Sequence, residues 1–149
     1  MLKPFRALAW SLVKGLVRHQ YPEVQSISTE KLAFWLVSEQ PPPVLIDVRQ
    51  EEEYVVSHLL GARHLPTVGA IQQSDISTDA TLVLYCSVGY RSARLAKQLQ
   101  AAGYEHVMNL EGSIFQWYNQ GYPLVANQMP VQRVHHYDPL WGVLLESSE

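Results

Sequence analysis

Leu82-Val83-Leu84-Tyr85-Cys86-Ser87-Val88-Gly89-Tyr90-Arg91-Ser92 is an apolar run that ends on the chain's only cysteine and passes through a glycine into a helical pattern. It reads as a strand, a tight loop and a helix start. A thiol in that place sits where the strand has ended and the unpaired N–H groups of the following helix converge, so a thiolate is stabilised by their dipoles and by Arg91. The pattern marks a nucleophilic sulfur.

Outward from this loop the chain alternates short strands and helices. Upstream, Val24 to Ile27 reads as a first strand, Ser28 as the N-cap of a helix from Thr29 to Ser38 with Leu32, Phe34, Trp35 and Leu36 on its buried side, and Pro41-Pro42-Pro43 as its stop. Val44 to Val48 follows as a central strand, Gln50 to Ser57 as a helix, Ala62 to Leu65 as a short strand and Val68 to Ser77 as a weak helix. Downstream, Arg91 to Ala102 is the strongest helix, closed by Gly103, and Val107 to Leu110 is the last strand, before a short helix from Ile114 to Asn119. Such alternation predicts an α/β fold, a mostly parallel central sheet with helices on both faces, whose ligands bind at the carboxyl ends of strands. Cys86 lies at such an end.

The loop resembles the active-site loop of the rhodanese family of single-domain sulfurtransferases, through Cys86, Gly89, Arg91 and Ser92. Leu45-Ile46-Asp47-Val48-Arg49, Glu53-Tyr54 and His58 to Pro66 are similar to the family's first signature. Gly103-Tyr104, Val107, Leu110-Glu111-Gly112, Trp117 and Gly121-Tyr122-Pro123 are similar to its C-terminal portion. The resemblance implies that the Cys86 thiolate takes the outer sulfur of a donor such as thiosulfate, holds it as a persulfide and passes it to cyanide or a thiol. It implies a binding loop of Ser87, Val88, Gly89, Tyr90, Arg91 and Ser92 for a small anionic donor or a persulfide-carrying protein, with no cofactor. Gly89 supplies a positive φ, Arg91 is the sole cation of the loop, and Ser87 and Ser92 offer hydroxyls to the persulfide. Asp47 and Arg49 are expected to brace the strand ends by hydrogen bonding, and His58 to be a structural turn histidine. This chain departs from the family pattern at Ser57 and Ser113, where glycines are usual.

Other function classes fit less well. Cysteine phosphatases of the same fold place a longer run between cysteine and arginine, and a disulfide-based reductase needs a second thiol. A non-catalytic rhodanese-like binding module is the alternative, against which the retained Cys86 argues. His135-His136 has no companion ligands at metal spacing, so no metal is expected. An acidic body argues against nucleic acid.

Length and composition bound the rest: 149 residues with 47% apolar content suit one domain, and a lone cysteine suits a reducing, cytoplasmic setting. The formal charge of −3 conceals a basic arm, residues 1–19, with Lys3, Arg6, Lys14 and Arg18 and no acid. Residues 1–21 read as an amphipathic helix with an apolar stripe of Phe5, Leu8, Ala9, Leu12, Val13, Leu16 and Val17. By the resemblance residues 22–125 are expected to form the rhodanese-like domain and residues 126–149 an apolar extension. The arm is expected to pack on that extension, within one chain or across a homodimer, in preference to lying on a membrane surface.

Overall fold

The computed structural model describes residues 2–146, so Met1 of the arm and residues 147–149 of the extension lie outside the described residues. Five short strands, β1 (Gln25–Ile27), β2 (Val44–Asp47), β3 (Arg63–His64), β4 (Thr81–Tyr85) and β5 (His106–Leu110), form one parallel sheet in the order β1-β5-β4-β2-β3. Side chains of β4 alternate between two cores. Val83 and Tyr85 enter one, with Leu32, Ile114 and Phe115; Leu82 and Leu84 enter the other, with Ile71, Leu95, Ala96 and Leu99. Helices α1 (Leu2–Gln20), α2 (Thr29–Val37) and α6 (Ser113–Asn119) supply the first core, and α4 (Val68–Gln72) and α5 (Tyr90–Ala101) the second. Helix α3 (Glu51–Val56) follows β2.

The chain leaves β2 toward one edge of the sheet and β4 toward the other. Their carboxyl ends therefore flank a topological switch point, the crevice where α/β sheets bind ligands. Asp47 ends β2 beside Tyr85, the last residue of β4, and Cys86 follows directly.

Ser28 caps α2, its hydroxyl accepting from Lys31 N–H at 3.2 Å, but Phe34 is exposed rather than buried, because Leu32 and the partly covered Trp35 and Leu36 fill that face. Helix α4 ends at Gln72, well short of the Ser77 expected, since Ser74 turns back onto Ile71. A hairpin of β6 (Leu124–Ala126) and β7 (Met129–Val131) was not legible beforehand; Asn127 and Gln128, both at positive φ, make its two-residue turn. Among the described residues no helix is long and apolar enough to cross a membrane.

The apolar stripe of the arm divides. Trp10 and Val17 are buried and Ala9 and Val13 pack on the first core, whereas Phe5, Leu8, Leu12 and Leu16 stay more than half exposed. The apolar arc is wider than one domain surface can cover, and Trp10, its largest side chain, sets which half turns inward. The arm meets the extension within one chain, α1 lying against the 3₁₀ turn Trp141–Leu144, with Arg6 Nε 3.4 Å from Val143 O.

Candidate active site

Tyr85 ends the central strand and Cys86 follows it, both buried, so the sulfur emerges beneath the following loop in a residue that is 1% exposed. Gly89, at φ 107°, reverses the chain and opens α5. That turn brings the Gly89 N–H to 3.1 Å from Cys86 Sγ, and the Ser92 hydroxyl of the first helical turn lies 3.4 Å from the same sulfur. The Gly89 N–H dipole is thus directed at it, with the Ser92 hydroxyl within reach.

Polar contacts from β5 and α6 fix the loop. Ser92 Oγ donates to Asn109 Oδ1 at 2.5 Å while Asn109 Nδ2 donates to Gly89 O at 3.0 Å, tying both ends of the turn to β5. Ser113 Oγ accepts from Cys86 N–H at 3.2 Å and donates to Leu110 O at 2.8 Å. The backbone N–H groups of Ile114 and Phe115 donate to the carbonyls of Cys86 and Ser87 at 3.1 and 3.0 Å. Ser113 holds φ 50°, a left-handed value that the family's usual glycine takes without strain, and its hydroxyl contacts offset that cost. Ser57, the other departure, has φ −171°, which any residue adopts.

Arg91 and Ser87 are placed differently from the expectation. Arg91 Nη1 and Nη2 each lie 2.9 Å from an oxygen of buried Glu53, and Nη2 donates to Ser87 Oγ at 2.9 Å. The Ser87 hydroxyl in turn donates to Glu53 Oε1 at 3.1 Å, away from the sulfur. Arg91 is therefore no free cation of the loop, because its charge is matched by a carboxylate that the sequence reading left without a role. Burial disfavours the Glu53 carboxylate, yet hydrogen bonds from Arg91 and from Gln50 N–H outweigh it and hold its pKa below the ordinary value. Burial likewise opposes the Arg91 charge, and Glu53 then Cys86 raise its pKa above the usual one.

This clamp has a pH signature. A carboxylate with a depressed folded pKa adds stability that is complete above the unfolded value, about 4.3, and is lost as pH falls through the folded one. Wild type should exceed Glu53→Gln by roughly 1.5–3 kcal/mol at neutral pH. The gap should close on acidification below about pH 4. Urea unfolding at a series of pH values checks this, and a gap that is constant with pH would remove the ionised clamp.

Asp47 and Arg49 form a fully buried pair: Arg49 Nε and Nη2 donate to Asp47 Oδ1 and Oδ2 at 2.9 and 2.7 Å, and Nη2 also donates to Ser57 O at 2.7 Å. His64 Nε2 donates to Arg49 O at 2.6 Å. His58 Nδ1 donates to Tyr54 O at 2.9 Å, its ring stacked on Tyr54. No group of three or more metal-ligating side chains occurs among the described residues. His135 Nδ1 instead accepts from Tyr137 N–H at 2.9 Å.

Ser87, Val88, Tyr90 and Arg91 line a cleft over Cys86 of about 90 Å³, whose remaining wall is Tyr137 and Trp141 of the extension. Tyr90 also meets Tyr21 edge to face.

Comparison with known proteins places this geometry. The rhodanese-like domain family matches residues 32–120. A sulfurtransferase of Allochromatium vinosum is 34% identical over 104 residues, 69% of this chain and 96% of that protein. The uncharacterised protein YqhL of Bacillus subtilis is 39% identical over 74 residues, 49% of this chain, which spans 59% of that protein's length. The solution structure of a rhodanese-like domain from Anabaena superimposes with a TM-score of 0.63 at 22% identity, over 74% of this chain and 87% of that one.

Proposed function

The chain belongs to the rhodanese-like domain family, and from that premise we propose that it is a sulfurtransferase carrying sulfane sulfur on Cys86. The observation that carries the reading is the Gly89 N–H directed at Sγ at 3.1 Å, at the head of α5. A backbone donor and a helix start favour an anionic sulfur there. With thiosulfate as donor, the Cys86 thiolate attacks the outer sulfur. The S–S bond of the donor breaks, sulfite leaves with its electron pair, and a cysteine persulfide anion forms. An acceptor thiolate or cyanide then attacks the terminal sulfur, and Cys86 leaves as thiolate.

Ser92 serves both states, since its hydroxyl lies within reach of Asn109 and of Sγ and can turn toward added negative charge. Asn109, Ser113 and the Arg91–Glu53 clamp are positioning groups that hold the loop's shape before sulfur arrives. Intact-mass spectrometry after incubation with excess thiosulfate tests the reading: a gain of ~32 Da, one sulfur, that cyanide removes is expected of covalent transfer. A mass that stays unchanged in the folded protein with thiosulfate and with organic thiosulfonate donors alike would make the chain a binding module.

A further inference from the structure

The wall of the Cys86 cleft is built by a segment outside the residues that match the family. After β7 the chain returns as a strap that buries Val134, Leu144 and Leu145. Asn119 clasps its end, Nδ2 donating to Leu144 O at 2.7 Å and Oδ1 accepting from Glu146 N–H at 2.8 Å. Helix α1 supports the 3₁₀ turn from the other side. The strap's middle is bent by His135 onto a Tyr137 at φ 65°, whose ring lies with its centroid 4.1 Å from the Arg91 guanidinium. Trp141 faces the same cleft.

Two consequences follow for a donor. Among the described residues lining the cleft, the one formal positive charge belongs to Arg91, and that charge is paired with Glu53 and covered by the Tyr137 ring. A dianion such as thiosulfate therefore gives up water for no unpaired counter-charge. Of the remaining lining, the Ser87 hydroxyl is engaged by Arg91 and Glu53, and Val88, Tyr90, Tyr137 and Trp141 offer apolar and aromatic surface.

Resting on the sulfurtransferase reading, we propose that Tyr137 and Trp141 make this site selective for organic sulfane-sulfur donors of low charge with an apolar or aromatic body. In such a donor, R–SO₂–S⁻ for example, the Cys86 thiolate takes the terminal sulfur, the S–S bond breaks and R–SO₂⁻ leaves with the electron pair. The ring of R lies against the strap.

The experiment measures kcat/KM on the full chain with cyanide as acceptor for thiosulfate, methanethiosulfonate and benzenethiosulfonate. Benzenethiosulfonate should be the best of the three and thiosulfate the poorest. In Tyr137→Ala and Trp141→Ala the ratio of benzenethiosulfonate to thiosulfate should fall by about tenfold, the scale of a lost aromatic contact, while Tyr137→Phe and Trp141→Phe should retain it. A wild type that prefers thiosulfate, or a ratio that stays constant across both alanine variants, overturns the inference while leaving the sulfurtransferase reading in place. Failure of all three donors to yield thiocyanate overturns that reading, and this inference with it.

Discussion

Cys86→Ser should abolish sulfur transfer while leaving the protein folded, with no mass gain from any donor and a thermal midpoint close to that of wild type. The replacement removes the nucleophile but keeps a small group able to accept from Gly89 N–H, so the loop contacts survive. A serine hydroxyl at neutral pH is a far poorer nucleophile than a thiolate unless a general base takes its proton. Among the described residues no histidine or carboxylate hydrogen-bonds to Cys86 Sγ, whose partners are the Gly89 N–H and the Ser92 hydroxyl. Loss of about 10³-fold or more in kcat is therefore expected, as for removal of a covalent nucleophile. Activity retained above a tenth of wild type would show that another group carries the sulfur.

The residues that bear this chemistry are contiguous, which is why they could be read from the chain. A strand that runs into cysteine, a glycine that can take positive φ and a strong helix pattern leave one local arrangement, and Cys86 to Ser92 adopt it. The parallel sheet was legible for the same reason, from short β-branched runs separated by helical patterns. What supports the loop was less accessible, because each supporting contact spans a long stretch of chain. Glu53 reaches Ser87 and Arg91 across 34 and 38 residues, yet in sequence it is the third of three consecutive acids and looks like a solvated helix start. Its one local sign is the spacing from Gln50, whose N–H it accepts. Asn109 was better marked, as a polar residue inside the apolar strand Val107 to Leu110, a place where a buried amide needs partners.

The extension shows a different limit. Its apolar content required burial, and the sequence pointed to the N-terminal arm as its partner while leaving open whether they meet within one chain or across a dimer. The outcome depended on which half of α1 turned inward, and Trp10 was absent from the stripe read along the helix. With Trp10, Ala9 and Val13 packed on the core, the 3₁₀ turn lies against α1 and Trp141 reaches the cleft. A helix remote from Cys86 in sequence thus supports the wall above it.

Asp47→Asn should be the most destabilising single change near the site, by about 3–5 kcal/mol, the usual cost of removing one partner from a buried ion pair. Both side chains are fully buried, and Arg49 Nη1 and Ser57 Oγ already lack hydrogen-bond partners, so the guanidinium has little reserve when its carboxylate is neutralised. Arg49 also holds the Ser57 carbonyl, and its own carbonyl takes the His64 proton, so the loss spreads to the connections on either side of α3 and to β3. Against a total of roughly 5–15 kcal/mol for a domain, much of the folding free energy is at stake. Urea unfolding should show a lower midpoint with an unchanged slope. The pair is specific rather than intrinsically stabilising, since two apolar residues of matched volume are often as stable as a buried ion pair. The double change Asp47→Leu with Arg49→Met should therefore recover most of the stability lost in Asp47→Asn. If Asp47→Asn stays within about 1 kcal/mol of wild type, the value of an exposed pair, the buried charge is compensated by other contacts and the strand ends do not depend on it.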